Sequence, residues 1–268
     1  MCGRYASSRR PEDLVEEFEI EQSEVRESLV ADYNVAPTKE VYAVLSRPPS
    51  KEKELPAQRQ LRVLTWGLVP SWSKDPAIGN RLINARVETV AEKPAFRRAF
   101  AARRCLLPAD GYYEWYVLGD DEAEDAPGAE GPAKKRGRPK KQPFFIHNQD
   151  GSVLAMAGLY EIWRDPTKAD DDPDRFRWTC TVLTTTAEDE LGRIHDRMPL
   201  LVDRDKYAAW LDPTVSDPHL LEGLLVPAAP GRLEAYPVST KVNNVKNNGP
   251  DLLEPLPVEP PMPGVVEK

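Results

Sequence analysis

The chain has 268 residues, 40% of them hydrophobic, and a formal net charge of −8. That is enough apolar material for one substantial core, so one domain with decorations is expected. No run of eighteen apolar residues occurs, and Arg4, Arg9 and Arg10 have no apolar run behind them, which argues against a membrane span and a secretory signal and for a cytoplasmic protein.

In chain order, the first signal is Cys2, in Met1-Cys2-Gly3-Arg4-Tyr5. Methionine aminopeptidases act when the second residue is small, so processing would expose a cysteine with a free α-amine beside its thiol. With pKa values of about 7.7 to 8.0 and about 8.5, both groups are partly nucleophilic near neutrality. Such a 1,2-aminothiol condenses with an aldehyde to an imine, which the thiol closes to a thiazolidine. Cys2 reads equally as an incidental residue on a frayed terminus.

Residues 11–20 put Pro11 at a first-turn position and Leu14, Val15 and Phe18 on one face, predicting an amphipathic helix. Residues 41–46, 61–66, 105–117, 143–148, 153–163 and 176–185 are rich in β-branched, aromatic and aliphatic residues and read as strands. Helices are expected at 87–92, 94–101, 203–211 and 219–225. Strands interrupted by short helices, without regular βαβ alternation, predict an α+β fold on a curved, mainly antiparallel, barrel-like sheet. A proline-rich stretch over 250–263 reads as extended and mobile.

Between two strands, residues 118–142 carry an acidic block, 119–130, and then a basic one, 133–141, with Gly and Pro and almost no aliphatic residues. Such a segment cannot bury enough surface to fold and is expected to be a disordered insertion. Its Lys135-Arg136-Gly137-Arg138-Pro139-Lys140 resembles an AT-hook, whose Arg-Gly-Arg core enters the minor groove of A·T-rich duplex; a generic polybasic segment fits as well. Three cysteines without metal-ligand spacing and only three histidines argue against a zinc site, and Cys105 and Cys180 sit in apolar runs as inert thiols.

Four polar groups interrupt the apolar runs. Asn84 and Arg86 precede a helix in Asn84-Ala85-Arg86-Val87-Glu88-Thr89, a pattern that suits a phosphate or a simple cap with a surface arginine. Glu114, flanked by aromatics in Gly111-Tyr112-Tyr113-Glu114-Trp115, is suited to general acid work if buried, or sits on a solvated strand face. His195, expected just after a strand and turn, is either structural or a proton-transfer group. Trp66 and Trp72 read as packing, or as platforms for an exposed base.

Cys2-Gly3-Arg4-Tyr5, Tyr33-Asn34-Val35-Ala36-Pro37-Thr38, Trp66-Gly67-Leu68-Val69-Pro70-Ser71-Trp72, Asn84-Ala85-Arg86-Val87-Glu88-Thr89, Gly111-Tyr112-Tyr113-Glu114-Trp115 and His195-Asp196-Arg197-Met198-Pro199 together resemble the ordered motifs of the SRAP (SOS response-associated peptidase) family of abasic-site processing proteins. The likeness runs from residue 2 to 255 as one catalytic and DNA-binding domain, interrupted by 118–142 and followed by a flexible tail, 256–268. It implies covalent capture of abasic sites in single-stranded DNA through Cys2, with Asn84, Glu114 and His195 as the surrounding active-site residues and Asn34 as site support. Arg4, Arg86 and Arg197 would neutralise phosphates, with Trp66 a further DNA contact; the insertion departs from the family pattern, and its own AT-hook-like motif would let Arg136 and Arg138 reach A·T-rich duplex through residues 134–141. Because this capture chemistry needs neither redox nor hydrolytic water, no cofactor is expected, and a monomer associated with the nucleoid is expected. An N-terminal cysteine amidohydrolase using its own α-amine as base and a non-enzymatic AT-hook DNA-binding protein are the alternatives.

Overall fold

The computed structural model describes residues 2–48, 55–118, 140–187, 191–225, 229 and 231–257. Five strands close a ring: β4 (Glu40–Arg47), β5 (Gln58–Trp66), β7 (Arg104–Ala109), β10 (Leu154–Arg164) and β11 (Phe176–Thr186). Four of the seams are antiparallel, and the fifth is a short parallel pairing in which Thr179 and Cys180 of β11 meet Thr65 and Trp66 of β5. Closure leaves these five strands without free edges where they pair.

The side-chain alternation of a strand explains why the runs read as continuously apolar. Val41, Ala43 and Leu45 of β4, Cys105 and Leu107 of β7, Met156 and Tyr160 of β10, and Cys180 and Val182 of β11 share one buried cluster inside the ring. The alternate residues Tyr42, Val44, Leu106, Ala155, Ala157, Leu159 and Leu183 face outward onto a helical layer that contributes Leu14, Phe18, Val90, Phe100, Trp210 and Leu221. At roughly 1.5 to 3 kcal/mol for each large side chain fully buried, the two faces supply most of the driving force for folding. The helices are α1 (Pro11–Glu17), α2 (Val87–Val90), α3 (Arg97–Ala102), α4 (Leu191–Ile194), α5 (Tyr207–Leu211) and α6 (Pro218–Leu224).

A second sheet, in the order β13-β9-β8-β1-β3, is built from β1 (Tyr5–Ser7), β3 (Asp32–Val35), β8 (Gly111–Val117), β9 (Lys141–Asn148) and β13 (Leu233–Pro237). Three short strands, β2 (Gln22–Ser23), β6 (Asn84–Arg86) and β12 (Arg197–Pro199), extend the barrel sheet. The architecture is thus α+β, a barrel-like sheet beside an antiparallel one, in a single domain.

Three expectations need correction. The single strand read at 105–117 is two strands in different sheets, broken at Asp110, whose carboxylate accepts from Ser8 N at 2.6 Å while its own N–H donates to Ala6 O at 2.8 Å. Residue propensity is blind to such a change of sheet. The stretch from 250 is not extended at its start: Pro250–Leu253 forms a 3-10 turn that buries Leu252 against Ala6, Tyr113 and Phe145, and Pro255 bridges to Val238. Lys141 and Gln142 belong to β9, where Lys141 pairs with Val117, so the insertion lies within a β8–β9 hairpin. Residues 119–139, including Arg136 and Arg138, and residues 258–268 lie outside the described residues. Among the described residues, no helix is long and apolar enough to cross a membrane.

Candidate active site

The position of Cys2 is set by β1, which lies between β8 and β3 with Tyr5 opposite Tyr112 on one side and Val35 on the other. Tyr113 N–H donates to Arg4 O at 2.9 Å, so the antiparallel register carries residues 2 to 4 alongside the Glu114 stretch of β8. Cys2 is completely buried, within the cluster that fills the ring. Burial, with the nearby Glu114 carboxylate, pushes its thiol far up, so sulfur stays protonated near neutrality.

Asn84 comes from β6, which runs parallel to β11 and pairs with Val182 there. Its Nδ2 donates to Cys2 O at 2.8 Å, fixing the backbone of the candidate nucleophile. Its Oδ1 is buried with no hydrogen-bond partner among the described residues. Glu114 is buried, not on a solvated face, and desolvation raises its carboxyl to about 7. A carboxyl at that value holds comparable acid and base populations at neutral pH, as proton transfer in both directions requires.

His195 follows α4 rather than a strand, and its N–H donates to Leu191 O at 3.2 Å. Its Nε2 stands 4.0 Å from Glu114 Oε2, while Nδ1 accepts from Arg197 N–H at 3.0 Å and lies 2.9 Å from Asp196 Oδ1. In the neutral ring, Nδ1 either accepts from the Arg197 amide, with the proton on Nε2 toward Glu114, or carries the proton toward the Asp196 carboxylate. Partial burial lowers the imidazole below its usual value, favouring that neutral form.

The structure thus draws Cys2, Asn84, Glu114 and His195 to one place from four separate stretches of chain. The arginines divide. Arg86 is exposed, two residues from Asn84 on the same face of β6, whereas Ala85 between them is buried. Arg197 instead turns inward: its guanidinium forks onto Glu88 at 2.6 and 3.0 Å and donates to Thr184 O at 2.7 Å. This corrects the expectation of a phosphate-facing Arg197. Arg4 is half-buried, donating to Asn34 Oδ1 at 2.6 Å and Val242 O at 2.8 Å. Asn34 in turn donates to the carbonyls of Val242, Asn244 and Asn247 at 3.0 to 3.2 Å, tying β3 to the C-terminal segment beside Arg4.

Trp66 is also corrected: it is fully buried, with Nε1 donating to Ile83 O at 2.8 Å, so no base can stack on it. Trp72 is exposed. Tyr112, which no motif argument singles out, lies two residues before Glu114 on β8 and so shares its face. Among the described residues, no group of three or more His, Cys, Asp or Glu could hold a metal ion.

The SOS response associated peptidase (SRAP) family matches residues 1–245. The chain is similar to the abasic site processing protein YoqW of Bacillus subtilis, at 36% identity over 255 residues covering 95% of this chain and 99% of that one. It is similar to the abasic site processing protein YedK of Escherichia coli at 32% identity, covering 96% and 100% of the two chains. With the abasic site processing protein HMCES of Xenopus tropicalis it shares 26% identity, covering 94% of this chain and 78% of the relative. In fold it matches a crystal structure of a Bacteroides thetaiotaomicron protein with a TM-score of 0.74 at 23% identity, covering 95% and 100%. With residues 1–245 matched by the family and 95% of the chain aligned to a relative at 36% identity, the chain belongs to the SRAP family.

Proposed function

We propose that this protein processes abasic sites by capturing them covalently in single-stranded DNA, through a thiazolidine formed by Cys2 once Met1 is removed. The observation that carries the reading is the convergence on Cys2 of an amide bonded to its carbonyl and a buried Glu114 with the half-buried His195 beside it. The relatives' names as abasic site processing proteins support it.

An abasic deoxyribose is mostly a closed hemiacetal. Glu114 in its acid form protonates the ring oxygen, the C1′–O4′ bond breaks, and the hemiacetal hydroxyl proton leaves to give the aldehyde. The Cys2 α-amine adds to C1′, and loss of water gives an imine, with His195 and Glu114 moving the protons. The thiol then adds to the imine carbon, its proton ending on nitrogen, and the five-membered ring closes. No electrons are exchanged with a third party, so the chemistry calls for no cofactor.

Burial suits this order of events. A thiol held protonated is a poor first nucleophile for an amide, which weighs against the amidohydrolase alternative. In capture the amine attacks first, and the thiol meets an electrophile already bonded next to it, at high effective concentration.

Arg86 neutralises the strand's phosphates, Arg4 and Asn34 hold the backbone behind Cys2, and Arg197 shapes the segment that carries His195. Residues 134–141, with Arg136 and Arg138, serve as a tether to A·T-rich duplex, working with a monomeric catalytic domain in the nucleoid.

The test is mass spectrometry of the protein mixed with a uracil-containing single strand treated with uracil glycosylase. A complex stable to denaturation is expected from protein that starts at Cys2, and Cys2→Ser loses it. A serine variant that cross-links as durably without added reductant, or full cross-linking by protein retaining Met1, overturns the mechanism.

A further inference from the structure

We propose that Tyr112 is a positioning residue for the reaction of Cys2, its hydroxyl donating a hydrogen bond to the sulfur while the thiazolidine ring closes. The inference rests on the covalent-capture reading and deepens it.

Tyr112 lies two residues before Glu114 on β8, so both side chains leave the same face of the strand. Tyr113, between them, leaves the opposite face and packs with Phe145 and Val242. Tyr112 pairs across the ladder with Tyr5 and is buried in the same cluster as Cys2. Its hydroxyl is buried yet has no hydrogen-bond partner among the described residues. Other tyrosines of the molecule are satisfied: Tyr113 donates to Tyr33 O at 2.7 Å, Tyr236 donates to Leu253 O at 2.8 Å, and Tyr42 accepts from Leu29 N–H at 2.6 Å.

A buried unpaired hydroxyl is destabilising, because it gives up its hydrogen bonds to water without replacing them, and phenylalanine would fill the same volume without it. A phenol kept at that cost in the buried cluster that holds Cys2 points to a partner that forms on the reaction path. Burial and the charges of Cys2 and Glu114 raise its pKa, so it stays a donor whenever sulfur or carboxylate is negative.

Ring closure is the step that needs such a donor. The sulfur electron pair forms the S–C1′ bond as the imine π pair moves to nitrogen. The thiol proton passes to Glu114, and nitrogen takes up one proton, so atoms and electrons balance within imine, thiol and carboxyl. Negative charge develops on sulfur as its proton leaves, and a preset donor acts most strongly on charge that appears in the transition state. Imine formation involves the amine and not the sulfur, so the hydroxyl has no part in it.

The experiment follows wild type and Tyr112→Phe on the uracil-excised single strand with two quenches. Borohydride traps the imine and so reports imine plus ring-closed product. Denaturation without reductant hydrolyses the imine and reports the thiazolidine alone. Tyr112→Phe is expected to match wild type in the first signal and to form the reductant-free adduct about tenfold more slowly, the effect of one hydrogen bond to a charged group. Equal rates in both signals overturn the proposal, and so does equal slowing of both, which is also what a variant with less folded protein gives. If wild type itself forms no reductant-free adduct, the capture reading fails; if wild type forms it and the variant keeps pace, only the role of Tyr112 fails.

Discussion

Glu114 is one buried carboxyl on which both stability and the proposed chemistry depend. Its folded pKa of about 7 lies above the ordinary 4.5, so between those values the folded protein keeps a proton that the unfolded chain has released. Its contribution to stability is therefore fully present below pH 4.5 and is lost as pH rises toward 7. Glu114→Gln, which cannot ionise, is expected to match wild type in denaturant unfolding at pH 4 and to exceed it by about 1–3 kcal/mol at pH 8. A difference that does not change with pH would contradict the raised value. In capture the sign runs the same way for ring opening: the acid form disappears above pH 7, so the rate should fall there, and Glu114→Gln should be slow at every pH.

The two arginines near the site differ for a reason the same scale makes plain. Arg197 pairs the two terminal nitrogens of its buried guanidinium with Glu88 and Thr184, so Arg197→Ala removes a charged bridge from the buried Thr184 carbonyl to half-exposed Glu88 and should cost about 1–2 kcal/mol in unfolding. Arg86 is exposed. Arg86→Ala should leave the melting midpoint within a degree or two, weaken single-strand binding and reduce the slope of log affinity against log salt by about one. A large drop in midpoint for Arg86→Ala, with none for Arg197→Ala, would reverse the assignment.

At the level of elements, the β7-to-β8 switch is where the barrel hands the chain to the second sheet. Gly111, the first residue of β8, is packed so closely that a Cβ there would lie 2.4 Å from Phe145 Cζ and 2.6 Å from Ile146 O. One neighbour is backbone of the paired strand β9, so relief requires parting the strands. Gly111→Ala should therefore destabilise the protein by about 1–3 kcal/mol, and hydrogen exchange should quicken at β8 and β9 before it does in the barrel. Since β8 carries Tyr112 and Glu114 and aligns β1 with Cys2, capture should slow as well. Uniform loss of protection across both sheets would mean that the two are not separable units.

For the whole molecule, the insertion is a matter of where it is attached. Val117 pairs with Lys141, and Leu118 N–H donates to Lys140 O at 3.0 Å, so the flanks already meet as neighbouring strands. Replacing 119–139 by a two-residue Asn-Gly turn should preserve the midpoint and the capture rate on saturating single-stranded abasic DNA while weakening duplex binding. Loss of capture in that variant would make the segment part of the catalytic surface.

Much of this protein was legible in its sequence because the relevant physics is local. The proposed 1,2-aminothiol chemistry rests on the adjacency of Met1 and Cys2, and the barrel strands β4, β10 and β11 announce themselves as apolar runs buried on both faces, while in β5 the buried Leu61, Leu64 and Trp66 are interspersed with half-buried Arg62, Val63 and Thr65. The motif series led to Cys2, Asn84, Glu114 and His195, which the fold brings together. Short strands such as β1, β3 and β6 were not legible: with three or four residues each, they have too little pattern of their own and exist because a neighbouring ladder offers partners. Direction was hidden as well. Nothing in His195-Asp196-Arg197 tells that Arg197 points at Glu88, or in the Trp66 motif that its ring is sealed inside the barrel, because a side chain's burial depends on which strands close around it. Sequence by itself determined which chemical groups this protein possesses. Only tertiary packing decided which of them are desolvated, paired or left waiting for a partner, since long-range strand register controls the distances on which pKa shifts and hydrogen bonds depend.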